Sequence, residues 1–100
     1  MTMHTVKICG IDYAIIEKSA EEMQGTIGLA NFNTQEIWIG NGYTEQTKSI
    51  ARAHEVLHIM SDAYGLDLTE HQVKYLTHAL IAFMADNPAQ GIFVSKKDYR

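Results

Sequence analysis

The sequence predicts a single α+β domain, in which a small antiparallel sheet of about four strands precedes two helices. Two pairs of short strand-like runs, each interrupted by turn residues, occupy the first 42 residues. Two longer segments with apolar residues at helical spacing follow them. Strands collected ahead of helices are typical of α+β domains, and 100 residues is close to the commonest domain size. We expect a core over about residues 6–88 and a tail over residues 89–100.

The predicted strands form two hairpins. In each pair, runs with apolar residues in alternation flank a turn that is rich in glycine or asparagine. Cys9 lies in the first of these runs, which predicts a buried and inert thiol. A polar stretch between the hairpins, residues 19–24, predicts a turn or a short helical bend. The paired runs are residues 6–9 with 13–17, and residues 25–30 with 35–39.

The first long helix is predicted over residues 45–64. Thr44 is a suitable N-cap, and Gly65 can adopt the left-handed conformation that ends a helix. The helix has two faces, one apolar and one mostly polar. The expected apolar back face holds Ala53, Val56, Leu57, Met60 and Tyr64. The other face holds Thr47, Ile50, His54, His58 and Ser61.

The second long helix is predicted from Glu70 to about Asp86. Thr69 and Gln72 fit a capping box at its start, and Pro88 disfavours a helical conformation in the residue before it. The tail that follows has one apolar run, residues 91–94, which predicts either a short docked strand or a loose end. The expected buried stripe of the helix is Val73, Leu76, Leu80, Phe83 and Met84.

Composition excludes several classes of protein. The net charge is −4 and no Lys/Arg cluster is present, which argues against nucleic acid as the main partner. The apolar runs are too short for a membrane span, and the N-terminus lacks the pattern of a signal peptide. A single cysteine cannot form an internal disulfide. We therefore expect a cytoplasmic protein that does not interact with a membrane.

The first long helix contains the motif His-Glu-x-x-His, formed by His54, Glu55 and His58. Residues four apart lie on one face of a helix, so both imidazoles can bind one metal ion. Zinc accepts imidazole nitrogens, and the intervening glutamate is placed to take a proton from the metal's water rather than to bind the metal. The motif therefore predicts a Zn²⁺ site with Glu55 as the catalytic general base.

With this motif, the two hairpins, the break at Gly65 and the ending Asn87-Pro88, the chain resembles the small phage and prophage members of the ImmA/IrrE-type zinc metallopeptidases. The resemblance covers roughly residues 6–88, and its specific part is the motif helix. It implies a minimal zincin-like fold and hydrolysis of peptide bonds. It also implies a protein or peptide substrate, of the repressor type in the best-known relatives.

The third metal ligand departs from the family pattern. Relatives place a glutamate early in the second helix, at a position that is Lys74 here, and a protonated lysine cannot bind zinc. Glu70, one turn earlier, is the preferred ligand. His78, His71 and Asp62 are the alternatives, and Asp62 is also a candidate partner for the free N–H of His58.

In the enzymatic interpretation, zinc lowers the pKa of its water, and Glu55 accepts the proton and returns it to the leaving amine. Residues 35–39 are expected to bind the substrate backbone by strand addition. The tyrosines are candidate donors to the oxyanion, and sequence does not rank Tyr43, Tyr64 and Tyr75. The alternative interpretation is a non-catalytic zincin-fold accessory or binding protein, such as a phage-encoded regulator or inhibitor, with a structural or vestigial metal site. The oligomeric state is not predicted.

Overall fold

A computed structural model describes residues 3–88 of the chain, so the predicted tail, with its apolar run at residues 91–94, lies outside the described residues. The described part is an α+β structure of four strands, one short helix and two long helices, as the sequence predicts. None of the described helices has the length and apolar character that crossing a membrane requires. The elements are β1 (Met3–Ile8), β2 (Ile11–Lys18), α1 (Ala20–Met23), β3 (Gly28–Asn31), β4 (Glu36–Gly40), α2 (Glu45–Ala63) and α3 (Glu70–Asp86).

The two predicted hairpins are present, but the sheet that they form is mixed. Its strand order is β1-β2-β4-β3, with β1–β2 and β3–β4 antiparallel. Between the hairpins, β2 and β4 run parallel, with Ile15 opposite Ile37. The prediction of a purely antiparallel sheet is therefore wrong at this junction. The chain from β2 passes through α1, which Ser19 caps in a capping box with Glu22, and through β3 before β4 pairs with β2.

The core lies between one face of the sheet and α2. Ile37 and Ile39 of the interior strand β4 are fully buried, and Ile59 of α2 packs against the same cluster. An ion pair between Lys48 Nζ and Glu17 Oε1, at 3.0 Å, also connects α2 to β2. These contacts fix the rotation of α2 about its own axis, and this rotation determines which side chains face the cleft beside the sheet.

The buried face of α2 is rotated from the predicted one. The buried residues of α2 are Ala51, Glu55, Ile59 and Ser61, whereas Val56 and Met60 pack at the margin of the core. Tyr64, expected on the apolar face, is 57% exposed. The apolar pattern alone misplaced the face because a buried glutamate and a buried serine stand within it.

Two further predictions about burial are wrong. Cys9 is exposed, because it occupies the β1–β2 turn with a positive φ of 51° and not the strand itself. In α3, only Val73 and Thr77 are buried. The rest of the predicted stripe is exposed, since among the described elements α3 packs mainly on one side of α2. The exposed members are Leu76, Leu80, Phe83 and Met84.

Candidate metal centre

The two motif histidines meet on one face of α2. Thr44 caps the helix by accepting a hydrogen bond from the backbone N–H of Thr47, and the helix is continuous through residues 54–58. His54 and His58 are one turn apart, with their rings edge to face at a centroid distance of 4.8 Å. Their Nε2 atoms are 3.1 Å apart. Both side chains are partly exposed, so the nitrogens are accessible from the cleft.

The carboxylate of Glu70 contacts both motif histidines. Its Oε1 atom lies 2.7 Å from Nε2 of His58, and its Oε2 atom lies 2.8 Å from Nε2 of His54. Glu70 is the first residue of α3, which begins at the capping box that Thr69 forms with Gln72. The position of the third side chain is therefore fixed by where α3 begins.

The start of α3 is tied to α2 through Ser61, one turn beyond His58. The hydroxyl of this buried serine accepts a hydrogen bond from the backbone N–H of Leu68 at 2.8 Å. Its carbonyl accepts one from Leu66 at 2.9 Å. Gly65 allows this tight return of the chain, since its φ of +69° carries no steric penalty in glycine. Ser61 therefore acts as a structural anchor for the connection that delivers Glu70.

The geometry of this group fits a metal ion. One donor atom from each of the three residues can be chosen so that all lie within 4.8 Å of one another. Two ligands at 2.0–2.1 Å from a tetrahedral zinc are about 3.3 Å apart, close to the 3.1 Å between the imidazole nitrogens. Two histidines with one glutamate is also a ligand set of catalytic zinc, in which the fourth position takes water. Without a metal, the Glu70 carboxylate can accept a hydrogen bond from whichever Nε2 atom carries a proton. In the described part of the chain, the only such group of three or more His, Cys, Asp or Glu is His54, His58 and Glu70.

Glu55 lies beside the metal centre and outside its ligand set. Its side chain faces the sheet and the residue is only 9% exposed. Burial is the largest influence on the Glu55 carboxyl and raises its pKa above the ordinary value. The nearby His54 and His58 lower the pKa, and the charge of Glu70 raises it. A hydrogen bond from the backbone N–H of Ala30 also lowers it. A carboxylate with a raised pKa is a better proton acceptor near neutral pH. The structure therefore places a buried carboxyl with a raised pKa next to the group that could hold a metal.

These side chains line a cleft of about 560 Å³ between α2 and the segment that leads into β3.

β3 forms one edge of the four-stranded sheet. The carbonyl of Ile27 accepts a hydrogen bond from Gly40 at 2.9 Å. Since hydrogen-bonding directions alternate along an antiparallel strand, the backbone groups of Gly28 and Ala30 point away from β4. Among the described strands, the sheet edge beside the metal centre therefore belongs to β3. The predicted substrate strand, residues 35–39, is wrong because β4 is interior.

Glycine at position 28 makes room for Glu55. A Cβ atom on Gly28 would lie 3.1 Å from Oε2 and 3.2 Å from Cγ of Glu55, and 3.5 Å from Cβ of Ala51. Gly28 was not among the predicted site residues. The available signal was a glycine between Ile27 and Leu29, within the alternating run of residues 25–30.

The other candidate ligands do not join the group that His54 and His58 form with Glu70. The ammonium of Lys74 is 5.8 Å from the ring centroid of Tyr75, and the ring of His71 contacts the same tyrosine. His78 is exposed on α3. Asp62 is exposed in a separate shallow pocket that His58 also lines, and no hydrogen bond joins their side chains. The face of α3 that meets α2 carries Glu70, Val73 and Thr77, a spacing of three and four residues.

None of the three candidate oxyanion donors lines the cleft. Tyr43 borders a different pocket next to Gly40, and Tyr75 borders one on α3. Tyr64, at the end of α2, is exposed. Among the described residues that line the cleft, the side chains with polar atoms are those of Thr47, Glu55 and the three metal-centre residues.

Comparisons with known proteins returned no match: no protein-family model, no curated protein and no solved structure is similar to this chain at a significant level. The fold and the geometry of the metal centre are therefore the basis for any functional assignment.

Proposed function

We propose that the protein is a zinc-dependent peptidase, related to the small phage and prophage ImmA/IrrE-type enzymes. The observation that carries the proposal is the convergence of His54, His58 and Glu70 next to a buried glutamate in an open cleft. A structural zinc normally has four protein ligands and no open position. Three ligands, a neighbouring base and space for a substrate together favour hydrolysis.

Each residue has a distinct task in this proposal. His54, His58 and Glu70 would hold the zinc, which when bound lowers the pKa of a water molecule and polarises the substrate carbonyl. Glu55 accepts a proton from that water as its oxygen adds to the carbonyl carbon. Glu55 then gives the proton to the amide nitrogen as the C–N bond breaks, which leaves a free amine and a carboxylic acid that loses its remaining proton to solvent. The sheltered position of Glu55 supports this role, because burial raises the pKa of its carboxyl.

The substrate in this proposal is a protein or peptide in extended conformation. In this proposal an added strand pairs with the open edge of β3 at Gly28, whose backbone groups point away from β4 beside the cleft that Glu55 lines, while the backbone N–H of Ala30 is already hydrogen-bonded to the Glu55 carboxyl. Repressor-type proteins are the first class of substrate to test, as the family resemblance implies, and we propose the cytoplasm as the compartment.

Hydrolysis can be tested by separating it from metal binding. Wild-type protein loaded with one equivalent of zinc should cleave members of a peptide library or a repressor-type protein. Glu55→Gln keeps the size of the side chain but cannot accept the proton. We expect it to retain zinc and lose about 10²–10⁴-fold in rate. Loss of zinc in Glu55→Gln would contradict the role of general base.

The accessory-protein alternative remains the second candidate, because Lys74 stands where relatives carry a ligand. With Glu70 as third ligand, that difference no longer leaves the zinc short of a protein donor. Tight zinc binding by a wild type that cleaves no peptide and no repressor-type protein would favour the accessory role over the peptidase.

A further inference from the structure

The cleft extends past the metal centre along the first turns of α2. We use the term apolar recess for this extension. Two isoleucines and an alanine supply its apolar side chains, and two glycines leave it open. The charged or titratable groups of the cleft all belong to the metal centre and its neighbour Glu55. The recess is lined by Gly25, Ile27, Gly28, Thr47, Ile50 and Ala51.

Among the residues that the structure describes, none that lines the recess would neutralise a charged ligand. Its single polar side chain, Thr47, already has a partner, since its hydroxyl lies 3.1 Å from that of Thr44. The nearby ammonium of Lys48 pairs with Glu17 and does not line the cleft. A charged side chain that entered the recess would therefore lose water without gaining a counter-ion, which is unfavourable.

The isoleucines give the recess a surface for aliphatic groups. Ile27 lies just before β3 and is 41% exposed, and Ile50 on α2 is half-buried. A pocket with apolar walls and a few polar groups at one end is typical of sites for small ligands. Here the polar end is the metal centre itself.

The recess begins directly next to the general base. Gly28 lines it, and the position of a Cβ on Gly28 is only 3.1 Å from Oε2 of Glu55. A substrate side chain in the recess therefore belongs to a residue that flanks the scissile bond and not to a distant one.

We infer that the apolar recess selects an uncharged aliphatic side chain, of about the size of leucine, next to the scissile bond. The inference rests on the proposed peptidase function and names its substrate class. Removing one methylene from a group in an apolar pocket typically changes binding by about 10–200-fold. Exclusion of charged side chains should add to this selectivity.

Binding of N-acetyl amino-acid hydroxamates tests the inference without hydrolysis. The hydroxamate group binds zinc in each compound, and only the side chain differs. By calorimetry with zinc-loaded protein, we expect the leucine compound to bind at least about tenfold tighter than the glycine compound. The aspartate compound should bind more weakly than the glycine compound.

Variants assign the preference to the recess. Ile27→Ala and Ile50→Ala should each lower the leucine-to-glycine ratio by about tenfold, at the lower end of the range for methylene groups in apolar pockets. Leu29→Ala is the matched control, because Leu29 is 43% exposed, much like Ile27, but does not line the cleft. It should leave the ratio unchanged.

The outcomes separate this inference from the proposed function. Equal binding of the leucine and glycine compounds, or an equal effect of Leu29→Ala and Ile27→Ala, would overturn the recess and leave the peptidase standing. A leucine preference in a zinc-loaded protein that cleaves no peptide would support the recess and overturn the peptidase. Failure to bind zinc at all would overturn both.

Discussion

Replacing Gly28 with alanine tests how Glu55 is positioned. The added Cβ would lie 3.1 Å from Oε2 and 3.2 Å from Cγ of Glu55, whereas carbon atoms in good contact are about 3.5–4.0 Å apart. The Glu55 side chain must therefore move by a few tenths of an ångström. None of the three proposed ligands is among the atoms that the Cβ meets, so zinc affinity should not change.

The expected effect on catalysis follows from that displacement. A misplacement of about 1 Å can lower a rate by about 10²-fold, so a shift of a few tenths should lower kcat by about three- to tenfold. Gly28→Val would push Glu55 further and should cost about 10²-fold. Stability should change little, because the gain of about 0.4–1 kcal/mol from a less flexible unfolded chain offsets the tight contact.

The assay compares kcat, zinc affinity by chelator competition and Tm in each variant. Gly42→Ala is the control, since a Cβ on Gly42 meets no atom within 4 Å and its φ does not require glycine. Unchanged kcat in Gly28→Ala would refute the positioning of Glu55 by Gly28. A fall in kcat that merely follows a loss of zinc would refute it as well.

Two further predictions concern the ligand set and the buried base. Glu70→Ala should weaken zinc affinity at least tenfold while His71→Ala and His78→Ala change it little, because of these three residues only Glu70 contacts the motif histidines. Chelator competition measures the three affinities. An equal loss of affinity in His78→Ala would contradict the prediction. In metal-free protein the raised pKa of Glu55 means that the folded state releases the carboxyl proton at higher pH than the unfolded state. The protonated carboxyl therefore contributes to folding stability at low pH. This contribution is lost as pH rises from the ordinary glutamate value, about 4.3, through the raised one. Urea unfolding of wild type and Glu55→Gln across that range should show the variant gaining relative stability with pH, and a relative loss would contradict the assignment.

The helix boundaries could be predicted because local chemistry determines them. Thr44 and Thr69 cap α2 and α3 as expected, and Gly65 takes the left-handed conformation that ends α2. The sequence favoured Glu70 as third ligand because it lies one turn before Lys74, and the cap at Thr69 is what fixes its position in the structure. A residue directly after the cap of α3 is fixed in position once the short connection from α2 is fixed.

The features that sequence did not predict depend on contacts between distant parts of the chain. The parallel pairing of β2 with β4 carries no local signal, since either hairpin is satisfied alone. The apolar stripe of α3 predicted burial that occurs only at Val73, because α3 rests on one helix. The burial of Glu55 could not be predicted from local sequence either, since it depends on the position of Gly28 in the neighbouring strand.

Thermal unfolding with and without zinc decides whether His54, His58 and Glu70 bind the metal. The core between α2 and the sheet should keep the metal-free protein folded. Zinc at about a hundredfold over its dissociation constant should add about 2.7 kcal/mol of stability, with one zinc per chain. Identical melting curves in zinc and in chelator would contradict the claim.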